Sequence, residues 1–122
     1  MAIMVKNAYI HIPFCKQKCN YCTFVSFARP DLQSKYIESL LKEIKTNYKG
    51  ENLDTIYFGG GTPSLLKIED FTRILKSFNF SKTTEITAEI NPETVDENYL
   101  RRLRKSGVNR LSIGIQLLTR IF

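Results

Sequence analysis

The sequence lacks the features that mark membrane and secreted proteins. No stretch approaches the roughly 18 consecutive apolar residues of a membrane-spanning helix. The N-terminal stretch has neither the continuous apolar core nor the small-residue cleavage site of a secretory signal peptide. We therefore expect a cytoplasmic protein without a transmembrane segment.

Histidine and cysteine are scarce. The chain has one histidine, His11, and three cysteines. An odd number of cysteines does not suit a disulfide framework, and clustered cysteines in a reducing compartment indicate metal binding or catalysis. The cysteine cluster therefore indicates a metal-binding or catalytic site.

Flexible linkers and low-complexity segments are missing as well. The 122 residues are 43% hydrophobic and 25% charged, which favours one packed domain without an internal boundary. The net charge of +6 permits anionic partners. Aromatic and basic residues do not interleave on any one element, however, so we do not expect nucleic-acid binding.

Short apolar runs alternate along the chain with longer amphipathic runs. The longer runs repeat apolar residues at helical spacing, and Thr94 and Glu97 have the capping-box spacing that opens a third helix ended by Gly107. This βαβαβαβ order without hairpin signals predicts an α/β fold with a parallel sheet and right-handed crossovers. The predicted strands are 8–12, 53–58, 84–90 and 110–115, and the first two predicted helices are 31–50 and 68–78.

Unusual residues follow each predicted strand. The cysteines follow the first strand and a run of glycines follows the second. Glu89 and Asn91 lie in or just after the third, and Gln116 follows the fourth. Because the carboxyl ends of parallel strands meet at one edge of a sheet, these segments are predicted to form one site. Asn91 also suits a turn before Pro92.

The three cysteines lie within eight positions, at Cys15, Cys19 and Cys22. Thiolates bind soft metals and iron–sulfur clusters, and three of them are one ligand short of a closed tetrahedral site. Structural zinc with His11 as fourth ligand is one alternative. In an extended segment, though, His11 would lie ~13 Å along the chain from Cys15. A hydrogen-bonded strand residue near the site is therefore the favoured interpretation of His11.

This cysteine pattern, with Tyr21 before the last cysteine, resembles that of radical S-adenosylmethionine (SAM) enzymes. The resemblance implies that Cys15, Cys19 and Cys22 bind three irons of a [4Fe-4S] cluster. The fourth iron would then be open to SAM, which explains the missing ligand. The resemblance also implies that the βαβαβαβ unit is the N-terminal part of a partial (β/α) TIM-like barrel, incomplete in this chain.

Further stretches resemble the SAM-binding segments of the same family. "YFGGGTPS" resembles a glycine-rich turn that contacts the methionine part of SAM, and "AEINPE" and "SIGIQ" resemble two other strand ends. Consecutive glycines also let a backbone approach a ligand closely, although a plain strand–helix turn would use them too. The cofactor-binding residues that the resemblance implies are Tyr9, Gly59, Gly60, Gly61, Thr62, Glu89 and Gln116.

"HIPFC", "GGGTPS", "NPE" and "GVNRLSIGIQ" narrow the resemblance to the oxygen-independent coproporphyrinogen III oxidase-like subfamily. Its true dehydrogenases carry a further cysteine near the cluster ligands, whereas this chain has Thr23 and Phe24. That difference favours the heme chaperone branch, with the oxidase and a zinc module without catalysis as alternatives. The resemblance then implies heme or a porphyrin as ligand and heme-receiving proteins as partners. It also implies that a reduced cluster cleaves SAM to a 5′-deoxyadenosyl radical.

The resemblance weakens abruptly after Gln116, where Leu117 and Leu118 replace a serine and an aromatic residue. Family members also continue well beyond 122 residues. We therefore expect residues 1–122 to be a truncated radical SAM core domain without the second barrel half or the following domain. Such a chain would be marginally stable, prone to aggregate through an exposed sheet edge, and without useful activity.

Overall fold

The computed structural model describes residues 6–14 and 30–113. Strands and helices alternate in the predicted βαβαβαβ order, and short 3₁₀ turns precede α2 and α3. None of the helices in this part of the chain is long and apolar enough to cross a membrane. The elements are β1 (Asn7–Ile12), α1 (Pro30–Asn47), β2 (Asn52–Gly60), α2 (Ile68–Lys76), β3 (Asn79–Ile90), α3 (Glu97–Ser106) and β4 (Arg110–Ile113).

The four strands form one sheet in the order β1-β2-β3-β4, and all three neighbouring pairs are parallel. Each helix therefore connects two adjacent strands that run in the same direction. This arrangement confirms the predicted α/β class and parallel sheet. It also brings the carboxyl ends of β1, β2 and β3 to the same edge.

Alternation along the strands gives the sheet two different faces. One face carries the apolar residues that pack on the helices, and Phe58 of β2 meets Phe71 of α2 with ring centroids 4.8 Å apart. Burying such side chains is the main stabilising term in a domain of this size. The fully buried large side chains of this core are Phe58, Phe71, Ile12, Ile37, Leu53, Ile56, Leu66, Ile74, Leu75, Ile86 and Leu103.

The opposite face, which we call the open face, carries polar and aromatic side chains. The register aligns Tyr9 with Tyr57 and Thr87 with Arg110, and it aligns Glu89 with Ser112. Because side chains alternate along a strand, all of these point away from the helices. The open face consists of Asn7, Tyr9, His11, Thr55, Tyr57, Gly59, Glu85, Thr87, Glu89, Arg110 and Ser112.

The third strand begins earlier than its hydrophobic pattern predicts. It starts at Asn79 rather than at residue 84, and its first residues are exposed. Asn79 pairs with Asn52, a register shift follows, and the Thr84 hydroxyl then donates to the Leu53 carbonyl at 2.6 Å. Backbone pairing with β2 therefore extends the strand where no apolar alternation marks it.

The start of α3 also differs from the prediction. Asp96 is the N-cap, and its carboxylate accepts a hydrogen bond from the Tyr99 N–H at 2.7 Å. Thr94 lies instead in the preceding 3₁₀ turn, where its hydroxyl is 2.6 Å from that of Ser64. The capping-box prediction was wrong, because the Thr94 side chain interacts within the preceding turn and Asp96 caps the helix. The predicted end is confirmed, with Gly107 following the last residue at φ 127°.

Asn109 ties the start of β4 to β3. Its side-chain oxygen accepts from the Ile86 N–H at 2.8 Å, and its side-chain N–H donates to the Thr84 carbonyl at 2.8 Å. Its backbone N–H donates to the Ile86 carbonyl at 2.9 Å. The Asn109 amide thus makes the two hydrogen bonds to β3 that the backbone of a paired strand residue would otherwise make.

We expect Asn109→Ala to lower the free energy of unfolding by about 1–3 kcal/mol, because two backbone groups of β3 lose their partners. Asn98→Ala is the matched control, since Asn98 is exposed on α3 and alanine favours a helix. Urea unfolding followed by circular dichroism measures both. Equal stabilities of the two variants would show that the Asn109 side chain is dispensable.

Candidate functional site

The glycine-rich turn after β2 is held against the end of β1. The Gly61 N–H donates to the Ile12 carbonyl at 2.7 Å, and the Thr62 N–H donates to the Phe14 carbonyl at 2.6 Å. Phe14 directly precedes Cys15 in the sequence. The predicted cofactor turn therefore adjoins the point at which the chain enters the cysteine segment.

The end of β3 joins the same edge of the sheet. The Asn91 N–H donates to the Ser64 hydroxyl at 3.2 Å, which links the end of β3 to the turn after β2. The Asn91 side chain accepts from the Glu93 N–H at 3.1 Å and caps the 3₁₀ turn. Of the two interpretations of Asn91, the structure supports the turn former.

Glu89 lies at the carboxyl end of β3 and faces β2 across the open face. One of its carboxylate oxygens accepts from the Gly60 N–H at 3.0 Å, and the other accepts from the Tyr57 hydroxyl at 2.8 Å. The side chain is half-buried. Glu89 is thus oriented by two donors from the neighbouring strand.

Tyr57 and Tyr9 form a stacked pair on the open face. Their ring centroids are 5.9 Å apart and their planes differ by 17°. The hydrogen bond to the Glu89 carboxylate raises the pKa of Tyr57, and a contact with the Ser112 hydroxyl partly opposes this. Burial raises the pKa of Tyr9, and the charge of Glu89 adds to the effect. Both phenols therefore remain protonated at neutral pH.

Two of the predicted glycines accommodate side chains of the protein itself. A Cβ on Gly59 would lie 2.9 Å from Tyr57 Cε1 and 3.0 Å from the Tyr9 ring. Gly60 has φ +113°, and a Cβ there would lie 2.8 Å from the His11 ring and 2.9 Å from the Ile12 carbonyl oxygen. The glycines are needed here because aromatic rings lie directly over the strand end.

The N–H groups of the turn already have acceptors within the protein. Gly60 donates to Glu89, Gly61 to Ile12 and Thr62 to Phe14. A ligand at this turn is therefore expected to donate hydrogen bonds, to carbonyl oxygens or to Glu89, rather than to accept them from these three groups.

His11 and Tyr36 anchor the end of β1. His11 lies within the strand, as predicted, and the structure places it on the open face, where its Nδ1 is 3.3 Å from the Tyr9 hydroxyl. From α1, the Tyr36 hydroxyl donates to the His11 carbonyl, and its ring meets Phe14 edge-on with centroids 5.4 Å apart. Burial raises the pKa of Tyr36, which keeps this donor protonated. The residues just before the cysteine segment are thereby fixed to a helix.

Four of the predicted site residues lie outside the described part of the chain: Cys15, Cys19, Cys22 and Gln116. Among residues 6–14 and 30–113, no group of three histidine, cysteine or acidic side chains could hold a metal ion. The cluster ligands therefore remain a prediction from the sequence. The described residues that converge at the predicted edge are Tyr9, Gly59, Gly60, Gly61, Thr62 and Glu89.

Sequence reasoning did not single out Tyr57. It stands two positions before Gly59, so strand alternation places both on the same face of β2. The two-residue alternation of side chains along a strand would therefore have placed Tyr57 beside Gly59 from the sequence alone. The partnership with Glu89, however, depends on the register between β2 and β3.

Comparison with known families decides the wider relationship. The model of the radical SAM superfamily matches residues 9–121. The chain belongs to the radical SAM superfamily. Membership implies a [4Fe-4S] cluster and SAM as cofactors, in agreement with the resemblance of the cysteine segment.

The curated relatives of this radical SAM protein include heme chaperones. It is 41% identical over 119 residues to heme chaperone HemW of Buchnera aphidicola subsp. Schizaphis graminum, covering 90% of this chain and 32% of the relative. It is 38% identical over 119 residues to heme chaperone HemW of Escherichia coli, with the same two coverages of 90% and 32%. The chain thus spans about a third of the length of these relatives.

A solved structure has the same fold. Coproporphyrinogen III oxidase (HemN) from Escherichia coli, described as a radical SAM enzyme, superposes with a TM-score of 0.79 at 29% identity. The match covers 93% of this chain and 28% of that one. The four parallel strands and their helices therefore correspond to the N-terminal part of the HemN radical SAM barrel.

Gly60→Ala tests whether the packed rings and the backbone of this radical SAM protein require glycine. Gly50→Ala is the control, because Gly50 also has a positive φ of 89° but its Cβ would meet only Asn79 Nδ2, at 3.5 Å. We expect Gly50→Ala to cost about 1–2 kcal/mol of unfolding free energy from backbone strain alone.

We expect Gly60→Ala to cost about 1–3 kcal/mol more than the control, because its Cβ would overlap the Ile12 carbonyl and the His11 ring. Urea denaturation of both variants and the wild type measures the difference. Equal costs at the two positions would show that the turn can move away from His11.

Proposed function

We propose that the protein is a radical SAM protein of the heme chaperone type, which binds a [4Fe-4S] cluster, SAM and heme. The observation that carries the cofactor part is the Glu89 carboxylate, held by Tyr57 and Gly60 at the strand edge that adjoins the cysteine segment. That edge offers hydrogen-bond acceptors and negative charge, which suit the ammonium group and the sulfonium charge of SAM.

The residues present fit the cluster by their chemistry. Cys15, Cys19 and Cys22 would supply three thiolates, the soft ligands that iron–sulfur clusters require. When bound, the cluster and SAM would supply reductive cleavage of the sulfonium to a carbon-centred radical. Phe14, joined to the glycine turn and packed on Tyr36, would fix the start of the cluster-binding segment.

The SAM site would be formed by the residues that meet at the strand edge. Glu89 would accept hydrogen bonds from the cofactor, and the turn at Gly61 and Thr62 would contact its methionine part. The protein would thereby bind and orient SAM and exclude water from its sulfonium. The proposed SAM-binding residues are Tyr9, Gly59, Gly60, Gly61, Thr62, Glu89 and Gln116.

The heme part of the proposal is supported by the relatives and by one local difference. The two curated relatives described above are heme chaperones by name. Thr23 and Phe24 stand where oxidases of the subfamily carry a further cysteine. The protein would bind heme and pass it to heme-receiving proteins. The second candidate, supported by the fold match to HemN, is coproporphyrinogen III dehydrogenase.

Anaerobic reconstitution tests the cluster and its open iron. We expect iron and sulfide to be retained by the wild-type chain and by Thr23→Ala, and to be lost from Cys15→Ala, Cys19→Ala and Cys22→Ala, because each lost thiolate removes an iron ligand. The EPR signal of the reduced wild-type cluster is expected to change when SAM is added.

Two results would contradict this prediction. Stoichiometric zinc with no sulfide would support the zinc module instead. If the EPR signal of the cluster did not change on adding SAM, the protein would be a cluster carrier without an iron site open to SAM.

Heme titration separates the chaperone from the oxidase. We expect saturable absorbance changes on adding heme to the full chain, and no consumption of coproporphyrinogen III under reducing conditions with SAM. Bovine serum albumin, which binds heme without a cluster, and the cluster-free Cys22→Ala variant serve as controls. Turnover of coproporphyrinogen III without heme binding would establish the oxidase instead.

A further inference from the structure

Glu89 lacks a cationic partner within residues 6–14 and 30–113. Its two hydrogen bonds come from the neutral donors Tyr57 and Gly60. Arg110 lies on the same face but pairs with Glu85 at 2.9 Å. A carboxylate can accept about four hydrogen bonds. Acceptor capacity and negative charge therefore remain at the strand edge for a cationic ligand.

The Tyr57 ring is confined on two sides. It stacks on Tyr9 with centroids 5.9 Å apart, and its Cε1 lies 2.9 Å from the position of a Cβ on Gly59. A ring held between an aromatic face and a strand backbone has little freedom to turn. Its hydroxyl therefore points to a fixed place, which is 2.8 Å from the Glu89 carboxylate.

The direction of this hydrogen bond is also fixed. The carboxylate raises the pKa of Tyr57, so the phenol stays protonated and acts as donor. The Gly60 N–H can only donate as well. With both donors in place, the remaining lone pairs of Glu89 have one orientation, set by β2.

We propose that Tyr57 is a positioning residue, whose hydroxyl holds the Glu89 carboxylate so that its remaining lone pairs meet a cationic group of SAM. Tyr57 acts through Glu89 and not by contact with the cofactor. This inference rests on the proposed function, because it needs SAM at the strand edge. A preoriented acceptor binds more tightly than one that must be ordered by its ligand.

Tyr57→Phe removes the hydroxyl and keeps the ring on Tyr9 and Gly59. In the anaerobically reconstituted full chain, we expect the dissociation constant for SAM to rise about tenfold, as for a lost hydrogen bond to a charged group. 5′-Methylthioadenosine has no amino acid part and no sulfonium charge. Its dissociation constant is expected to stay unchanged, whereas general damage to the fold would weaken both ligands.

Two further variants locate the effect. In a Glu89→Gln background, Tyr57→Phe is expected to add little to the loss of SAM affinity, because residues that act as one unit are not additive. Tyr48→Phe is the matched control. The Tyr48 hydroxyl accepts from the Asn79 N–H at 2.9 Å, at the other end of the sheet, so its loss should leave SAM affinity unchanged. Should Tyr57→Phe fail to fold, Tyr57→Met is a second variant without a donor.

The outcomes separate this inference from the proposed function. If the wild type binds SAM and Tyr57→Phe binds it equally well, the role of Tyr57 is refuted and the cofactor site stands. Full additivity with Glu89→Gln, or an equal loss for 5′-methylthioadenosine, would also refute it. If the reconstituted wild type does not bind SAM, the proposed function fails and the inference fails with it.

Discussion

Parallel pairing of β2 with both of its neighbours is the constraint on which the rest of the site depends. It aligns His11 with Gly59 on one side and carries Glu89 alongside the end of β2 on the other. Because the strands run in one direction, their carboxyl ends meet. Backbone hydrogen bonds join the turn after β2 to the end of β1, and the Ser64 hydroxyl joins the same turn to the end of β3. A slip by one residue would turn Glu89 toward the helices and into the core.

The two faces of this sheet have different roles: one packs against the helices, and the other carries the polar and aromatic side chains at the proposed site. The apolar face buries its side chains against α1, α2 and α3, which supplies most of the stability. The open face carries Tyr9, Tyr57 and Glu89. The two tyrosine rings stack, and the Tyr57 hydroxyl donates a hydrogen bond to Glu89. Membership of the radical SAM superfamily implies a [4Fe-4S] cluster and SAM as cofactors.

The role of the glycine-rich turn in this fold could not be inferred from its glycine content alone. Gly59 and Gly60 make room for Tyr57, Tyr9 and His11, while the N–H groups of the turn are used within the protein. The turn therefore works by shaping the strand edge and by holding the segment before Cys15. Its acceptor character, with Glu89 beside it, fits the cationic part of SAM better than an anionic group such as phosphate.

Local patterns in the sequence determined the element order, the parallel α/β class and the edge at which the glycine-rich turn and Glu89 meet, because each depends on residues close in the chain. Tertiary structure decided which residues become partners. Asp96 replaced Thr94 as a cap because Thr94 bonds Ser64 across the fold, and backbone pairing with β2 extended β3 without an apolar pattern. The link between Tyr57 and Glu89 joins residues 32 positions apart. Only strand register brings them together, and no spacing within either segment encodes it.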